Sequence, residues 1–122
     1  MRARIVMAHD DEAFVIAATV ALRNAGYSIV TFTDSMLALD IILEADSVEL
    51  LITCMQFAPG KPNGVVLAQM GTIKHREMKV VFTGLPEHVK RAKGLGPILP
   101  VHVGMDRLVA TVARLLGDAA ER

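Results

Sequence analysis

Short apolar runs alternate along this chain with longer amphipathic ones. Ile5-Val6-Met7-Ala8 is continuously apolar and stops at His9-Asp10-Asp11-Glu12. A short run of this kind, bounded by polar residues, predicts a strand buried on both faces. From Asp11 to Ala25, Val15, Ala18, Thr19 and Leu22 recur at i, i+3, i+4 and i+7, one inward face of a helix, and Gly26 supplies its C′ stop. Ser28 to Thr33, β-branched and aromatic, predicts a second strand. Thr33 and Asp34 then offer N-cap oxygens to a helix with Ala38, Ile41, Ile42 and Ala45 inward. A third strand, Glu49 to Cys54, enters a Met55–Gly64 segment whose two prolines and two glycines predict a loop. Beyond it the pattern predicts a helix over 65–73, a strand over 78–83, a short helix over 87–93 and a strand over 98–101. A last helix over 105–116 carries Leu108, Val112 and Leu115 on one face and ends at Gly117.

Five strands alternating with five helices predict one α/β domain over residues 1–122, with a parallel sheet covered by helices on both faces. Right-handed crossovers favour the flavodoxin-like strand order 2-1-3-4-5. Ligands of such sheets bind beyond the carboxyl ends of the strands, where the order reverses between strands one and three. Asp10, Asp11 and Cys54 fall at that edge.

Composition narrows the function classes. Thirteen basic and thirteen acidic residues cancel, leaving no field to attract nucleic acid or an anionic membrane. Aromatics at 4% argue against base-stacking surfaces. No apolar stretch approaches the roughly 20 residues a membrane span requires. The basic start, Met1-Arg-Ala-Arg, is followed by an apolar segment too short for a signal peptide. A single cysteine fits a reducing compartment, so a cytoplasmic location is expected. The phosphate-cradle motif G-x-x-x-x-G-K-[ST], the dinucleotide fingerprint, the nucleophile elbow and C-x-x-C are all missing from the sequence. Gly117-Asp-Ala-Ala-Glu-Arg122 reads either as a natural end or as the start of a linker.

An acidic pair after strand one, a third-strand terminus at Cys54 and Thr83-Gly84 after Val80-Val81-Phe82 resemble the CheY-like receiver domains of two-component response regulators. The resemblance covers essentially the whole chain. It implies that Asp10 and Asp11 match the residues that hold magnesium, and that Cys54 stands at the phospho-acceptor position. Glu49-Leu-Leu-Ile-Thr-Cys54 is similar to the family's acidic-plus-apolar run into its aspartate, and Pro59 and Gly64 to the Pro and Gly that follow, with one extra residue between them. Met55 is the alternative occupant, and neither is a carboxylate. Thr83 matches the hydroxyl residue that contacts the phosphoryl oxygen. Met105-Asp106-Arg107-Leu108 resembles the start of the last helix, which sets Val101-His102 against the family's Lys-Pro pair and Ile98 against its aromatic switch residue. The interval from Thr83 to Val101 is a few residues short, which trims the fourth helix.

Phosphoryl transfer to such a domain needs an oxyanion nucleophile, a hard cation and donors for the equatorial oxygens. A thiol in place of the aspartate removes nucleophile and magnesium ligand together, and Val101 removes the cation. The expectation is therefore a non-enzymatic, atypical receiver that binds protein without being phosphorylated. Its partner would be a histidine kinase, a phosphotransferase or another regulator, or a second copy of itself. Docking would use the fourth-to-fifth-helix side or the first-helix side. No cofactor is expected beyond a weak residual magnesium site on Asp10 and Asp11, two residues that equally suit capping of the first helix. The alternative centres on Cys54 as a redox-sensing thiol or a soft-metal ligand, with His9 and His102 on the same edge. A third reading is residual phosphorylation at Asp10 or Asp11. His75 and His88 are expected at the surface, and Lys90, Arg91 and Lys93 on a solvated face.

Overall fold

The structure, a computed structural model, describes residues 2–118. Met1 and residues 119–122 of the C-terminal run therefore lie outside the described residues. Strands β1 (Arg2–Ala8), β2 (Ile29–Phe32), β3 (Ser47–Cys54), β4 (Lys79–Gly84) and β5 (Ile98–Pro100) form one parallel sheet in the order β2-β1-β3-β4-β5. Helices α1 (Glu12–Asn24), α2 (Ser35–Glu44), α3 (Gly64–Lys74), α4 (Val89–Ala92) and α5 (Met105–Leu116) connect and follow them. This is the flavodoxin-like arrangement expected from the alternation.

Side-chain alternation on the central strands divides the core into two layers. Ile5 and Met7 of β1, with Leu50, Ile52 and Val81, pack under Phe14, Ala18 and Leu22 of α1 and Leu108 and Val112 of α5. Val6 and Ala8, with Leu51, Val80 and Phe82, pack under Ala38 and Ile42 of α2 and Leu67 and Ala68 of α3. Both faces of β1 and β3 are covered over Ile5–Ala8 and Leu50–Cys54, where the sequence is continuously apolar apart from Thr53.

Several boundaries differ from the sequence reading for physical reasons. β1 begins at Arg2 because the Arg2-Ala-Arg4 segment pairs with β3, and Arg4 reaches an exposed ion pair with Glu49 at 3.0 Å. In α2, Leu39 is buried and Ile41 only half so, a shift of the inward face. The fourth helix is a single turn, Val89–Ala92, preceded by a 3-10 turn over Pro86–His88. His75 is buried, contrary to the surface position expected for it. It ends α3, and its Nε2 donates to the Ile42 carbonyl at 2.6 Å, satisfying a buried acceptor near the end of α2. His88 is half-buried and accepts the Leu85 N–H at Nδ1, while Lys90, Arg91 and Lys93 are exposed.

Candidate functional site

β1 ends at Ala8, so the first side chain past the strand belongs to His9. Its ring is 4% exposed and stacks on Phe14 with centroids 4.3 Å apart. Nε2 lies 2.8 Å from the Thr83 hydroxyl, and the Asp11 backbone N–H donates to Nδ1 at 3.2 Å. Since Nδ1 accepts, the proton of the neutral ring sits on Nε2 and is donated to Thr83 Oγ1. Burial pushes the His9 pKa down, against the opposing pull of Asp10 and Asp11, so the ring is neutral near pH 7.

The acidic pair is split. Asp11 is the N-cap of α1, and its Oδ1 accepts from the N–H groups of Ala13 at 3.0 Å and Phe14 at 3.3 Å. Its carboxylate thus completes the helix end and favours the positive pole of its dipole. Asp10 is the carboxylate at the sheet edge, with 60% of its side chain exposed and Oδ1 3.6 Å from His9 Nδ1. The Asp10–Asp11 pair expected from the sequence is replaced at that edge by His9 and Asp10.

Cys54 ends β3 directly opposite Thr83 of β4 in the register of the sheet. It is 7% exposed, and its thiol donates to the Gln56 carbonyl at 3.3 Å. Burial, reinforced by the nearby Asp10 carboxylate, pushes the thiol pKa up to about 12, although hydrogen bonding from the Asp10 backbone works in the opposite direction. The group is a protonated thiol at neutral pH. Met55, the alternative occupant, packs into the α2–α3 layer, so Cys54 is the side chain presented at the edge. The backbone turn that follows depends on Gly64. Its N–H donates to the Met55 carbonyl at 3.0 Å, and a Cβ there would collide with the Cys54 carbonyl oxygen. Lys61, further along the same loop, bonds Asp34 at the start of α2 at 3.2 Å and pins the loop across the sheet end.

The fifth strand contributes no cation to the edge. Val101 is exposed and, with Leu85, Pro86, Val89, Pro100 and Arg107, lines an apolar groove of about 520 Å³. His102 lies on that groove rather than in the cluster with Cys54. Ile98 is half-buried against the α2–α3 layer and would meet any Cβ placed at Gly84.

Among the described residues, His9, Asp10 and Cys54 bring a ring nitrogen, a carboxylate oxygen and a sulfur within 4.8 Å of one another. Magnesium, the ion implied by the resemblance, requires several oxygen ligands in octahedral geometry. One carboxylate, an imidazole and a thiol do not supply them, so the donor set does not fit that ion. His9 was visible in the sequence as the residue preceding the acidic pair. The soft-metal alternative already sets it on the edge with Cys54. The sequence does not show that Asp11 turns away to cap α1, because the final residue of β1 decides which of three consecutive polar side chains faces the site.

No family model matches the sequence, and no curated protein matches it. Solved structures do match in shape. A response regulator receiver domain protein (CheY-like) from Methanospirillum hungatei superposes with a TM-score of 0.83 at 16% identity, covering 96% of this chain and 95% of that one. The receiver domain of the hybrid histidine kinase CckA gives 0.77 at 25% identity over 93% and 98% of the two chains. A chain described as adenylate cyclase from Rhodopirellula baltica gives 0.82 at 16% identity over 96% and 89%, a likeness of fold alone. With the strand order and the layering, these neighbours establish that the chain is built on the CheY-like response-regulator receiver fold.

Proposed function

We propose that this chain is an atypical receiver module of two-component signalling, not an enzyme, that works by docking to another protein without accepting a phosphoryl group. The observation that carries this reading is Cys54. The side chain at the β3 terminus is a buried, protonated thiol bonded to a carbonyl, with neither an oxyanion nor a hard metal ligand to offer. Val101, exposed on the neighbouring groove, provides no charge to offset a phosphoryl group. The apolar groove formed by α4, β5 and the start of α5 is the docking face this reading favours. Its occupant is a kinase, a phosphotransferase or another regulator. Ile16 and Val20, exposed on α1, form the second face.

Intact mass after incubation with acetyl phosphate and magnesium tests the chemistry. The parent chain is expected to show no adduct. His9→Asp/Cys54→Asp/Val101→Lys, which installs carboxylates in place of His9 and Cys54 and the cation that the resemblance implies in place of Val101, is expected to gain one. An adduct on the parent chain removed by Asp10→Asn would overturn the proposal and move the acceptor to Asp10.

A further inference from the structure

We propose that His9 Nδ1, the Asp10 carboxylate and Cys54 Sγ form a binding site for a thiophilic divalent metal, zinc foremost, with a fourth position open to water or to a ligand from a docked partner. This goes beyond the docking function and does not depend on it. The misfit with magnesium is a positive fit for zinc, which takes imidazole nitrogen, thiolate sulfur and carboxylate oxygen in tetrahedral sites.

Two features of the geometry support this. First, the ligand atoms already lie near one another. Two metal bonds of about 2.0–2.1 Å at the tetrahedral angle place their donor atoms roughly 3.4 Å apart. His9 Nδ1 and Asp10 Oδ1 are 3.6 Å apart, and a ring nitrogen of His9, a carboxylate oxygen of Asp10 and Cys54 Sγ all lie within 4.8 Å of one another. The exposed Asp10 carboxylate can rotate to close the remaining gap and leaves an entry path from solvent. Secondly, the ring is held in the tautomer a metal needs. The Nε2–H bond to Thr83 leaves Nδ1 unprotonated, 3.6 Å from Asp10 Oδ1, and Phe14 stacks on the ring. Metal-bound histidines commonly donate their other ring N–H to an oriented acceptor, the part Thr83 plays.

Binding exchanges two weak contacts for metal bonds. Nδ1 gives up the Asp11 N–H at 3.2 Å, and the thiol leaves the Gln56 carbonyl at 3.3 Å. The S–H bond breaks as the S–metal bond forms, and one proton passes to buffer for each ion bound, with no change of oxidation state.

The test uses tag-free protein titrated with zinc against a chromophoric chelator, and with cobalt(II) as a spectroscopic substitute. One equivalent of zinc should bind with sub-micromolar affinity and release one proton, read by calorimetry in buffers of different ionisation enthalpy. The cobalt form should show a sulfur-to-metal charge-transfer band and intense tetrahedral ligand-field bands. Cys54→Ser should abolish the sulfur band, and Thr83→Val, which removes only the orienting acceptor, should weaken binding by about 10–100-fold. Absence of stoichiometric binding would overturn the proposal, as would a cobalt spectrum without the sulfur band or zinc affinity unchanged in Cys54→Ser. Because the parent spectrum alone decides whether sulfur is bound, a failure of Cys54→Ser to fold leaves the test intact. Failure here would leave the docking function untouched, since that rests on phosphoryl chemistry.

Discussion

Acidification should weaken this fold through His9 in particular, and the size of the effect can be bounded. The ring is 4% exposed, and its folded pKa lies below its ordinary value of about 6.5 because burial disfavours the charged form. The unfolded chain therefore takes up a proton that the folded chain resists. The stability associated with the neutral ring is complete above the ordinary histidine pKa and is lost as the pH falls through that value towards the folded one. Between pH 7.0 and 5.5 one such proton is worth at most about 1.3 kcal/mol. For a domain of this size that corresponds to a melting shift of roughly 4–6 °C. His9→Gln keeps an N–H donor for Thr83 while removing the titration, and every other ionising group is common to both proteins. Melting by circular dichroism from pH 7.0 to 5.5, with a chelator present, should give curves that converge as the pH falls, the parent losing more than the variant. Parallel curves would refute the claim that the buried neutral His9 couples folding to pH.

Three further outcomes follow from the same geometry. The Cys54 thiol should react with a disulfide reagent at pH 8 on the order of a thousandfold more slowly in the folded than in the denatured protein, since burial suppresses the thiolate; comparable rates would reopen the redox reading. Asp11→Ala should destabilise the fold by about 1 kcal/mol through loss of the α1 cap, whereas Asp10→Ala should change stability by no more than about 0.5 kcal/mol. A reversed order in denaturant melts would show that the two carboxylates have been given the wrong roles. Gly64→Ala should cost roughly 1–3 kcal/mol in the same melts, because the added methyl group meets the Cys54 backbone carbonyl rather than a yielding side chain.

Most of the fold was legible because its signals are local and repeated. The apolar runs ending at Ala8, Cys54 and Thr83 are strands buried on both faces, and Gly26, at φ +96°, stops α1 where the pattern places it. The site was less legible because it turns on single-residue registers. Three polar residues follow Ala8, and only the end of β1 and the start of α1 decide that His9 and Asp10 face the edge while Asp11 caps the helix. His75 was misplaced for a related reason. It sits in the polar run Lys74-His75-Arg76-Glu77, and nothing local shows that the far end of α2 leaves a carbonyl for it to cover. His102 shares the strand edges in sequence terms, but the turn after the short β5 carries it out to the groove.

The His9–Thr83 bond bears on how such a domain can respond to a signal. By the resemblance, a receiver's hydroxyl residue moves when a phosphoryl oxygen is there to take it. Here Thr83 is 2% exposed and already holds Nε2–H at 2.8 Å. Moving it would leave a buried donor unpaired at a cost of about 1–3 kcal/mol. With nothing bound to offset that cost, a conformer with Thr83 displaced is populated at a few per cent at about 2 kcal/mol. Half-buried Ile98, on the neighbouring strand, has no polar group with which to capture the displaced hydroxyl. A ligand can shift this balance only through a difference in affinity between the two arrangements. The groups able to supply that difference are the apolar groove, which a protein can fill, and the His9–Asp10–Cys54 triangle, which a metal ion can. Zinc at the triangle would tighten the resting arrangement, because a metal bond would replace the weaker 3.2 Å contact of Nδ1 with the Asp11 N–H. Metal and partner should therefore couple only where the partner requires Thr83 to move. Partner affinity measured with and without zinc should be unchanged for rigid docking on the groove and reduced for docking that displaces the threonine.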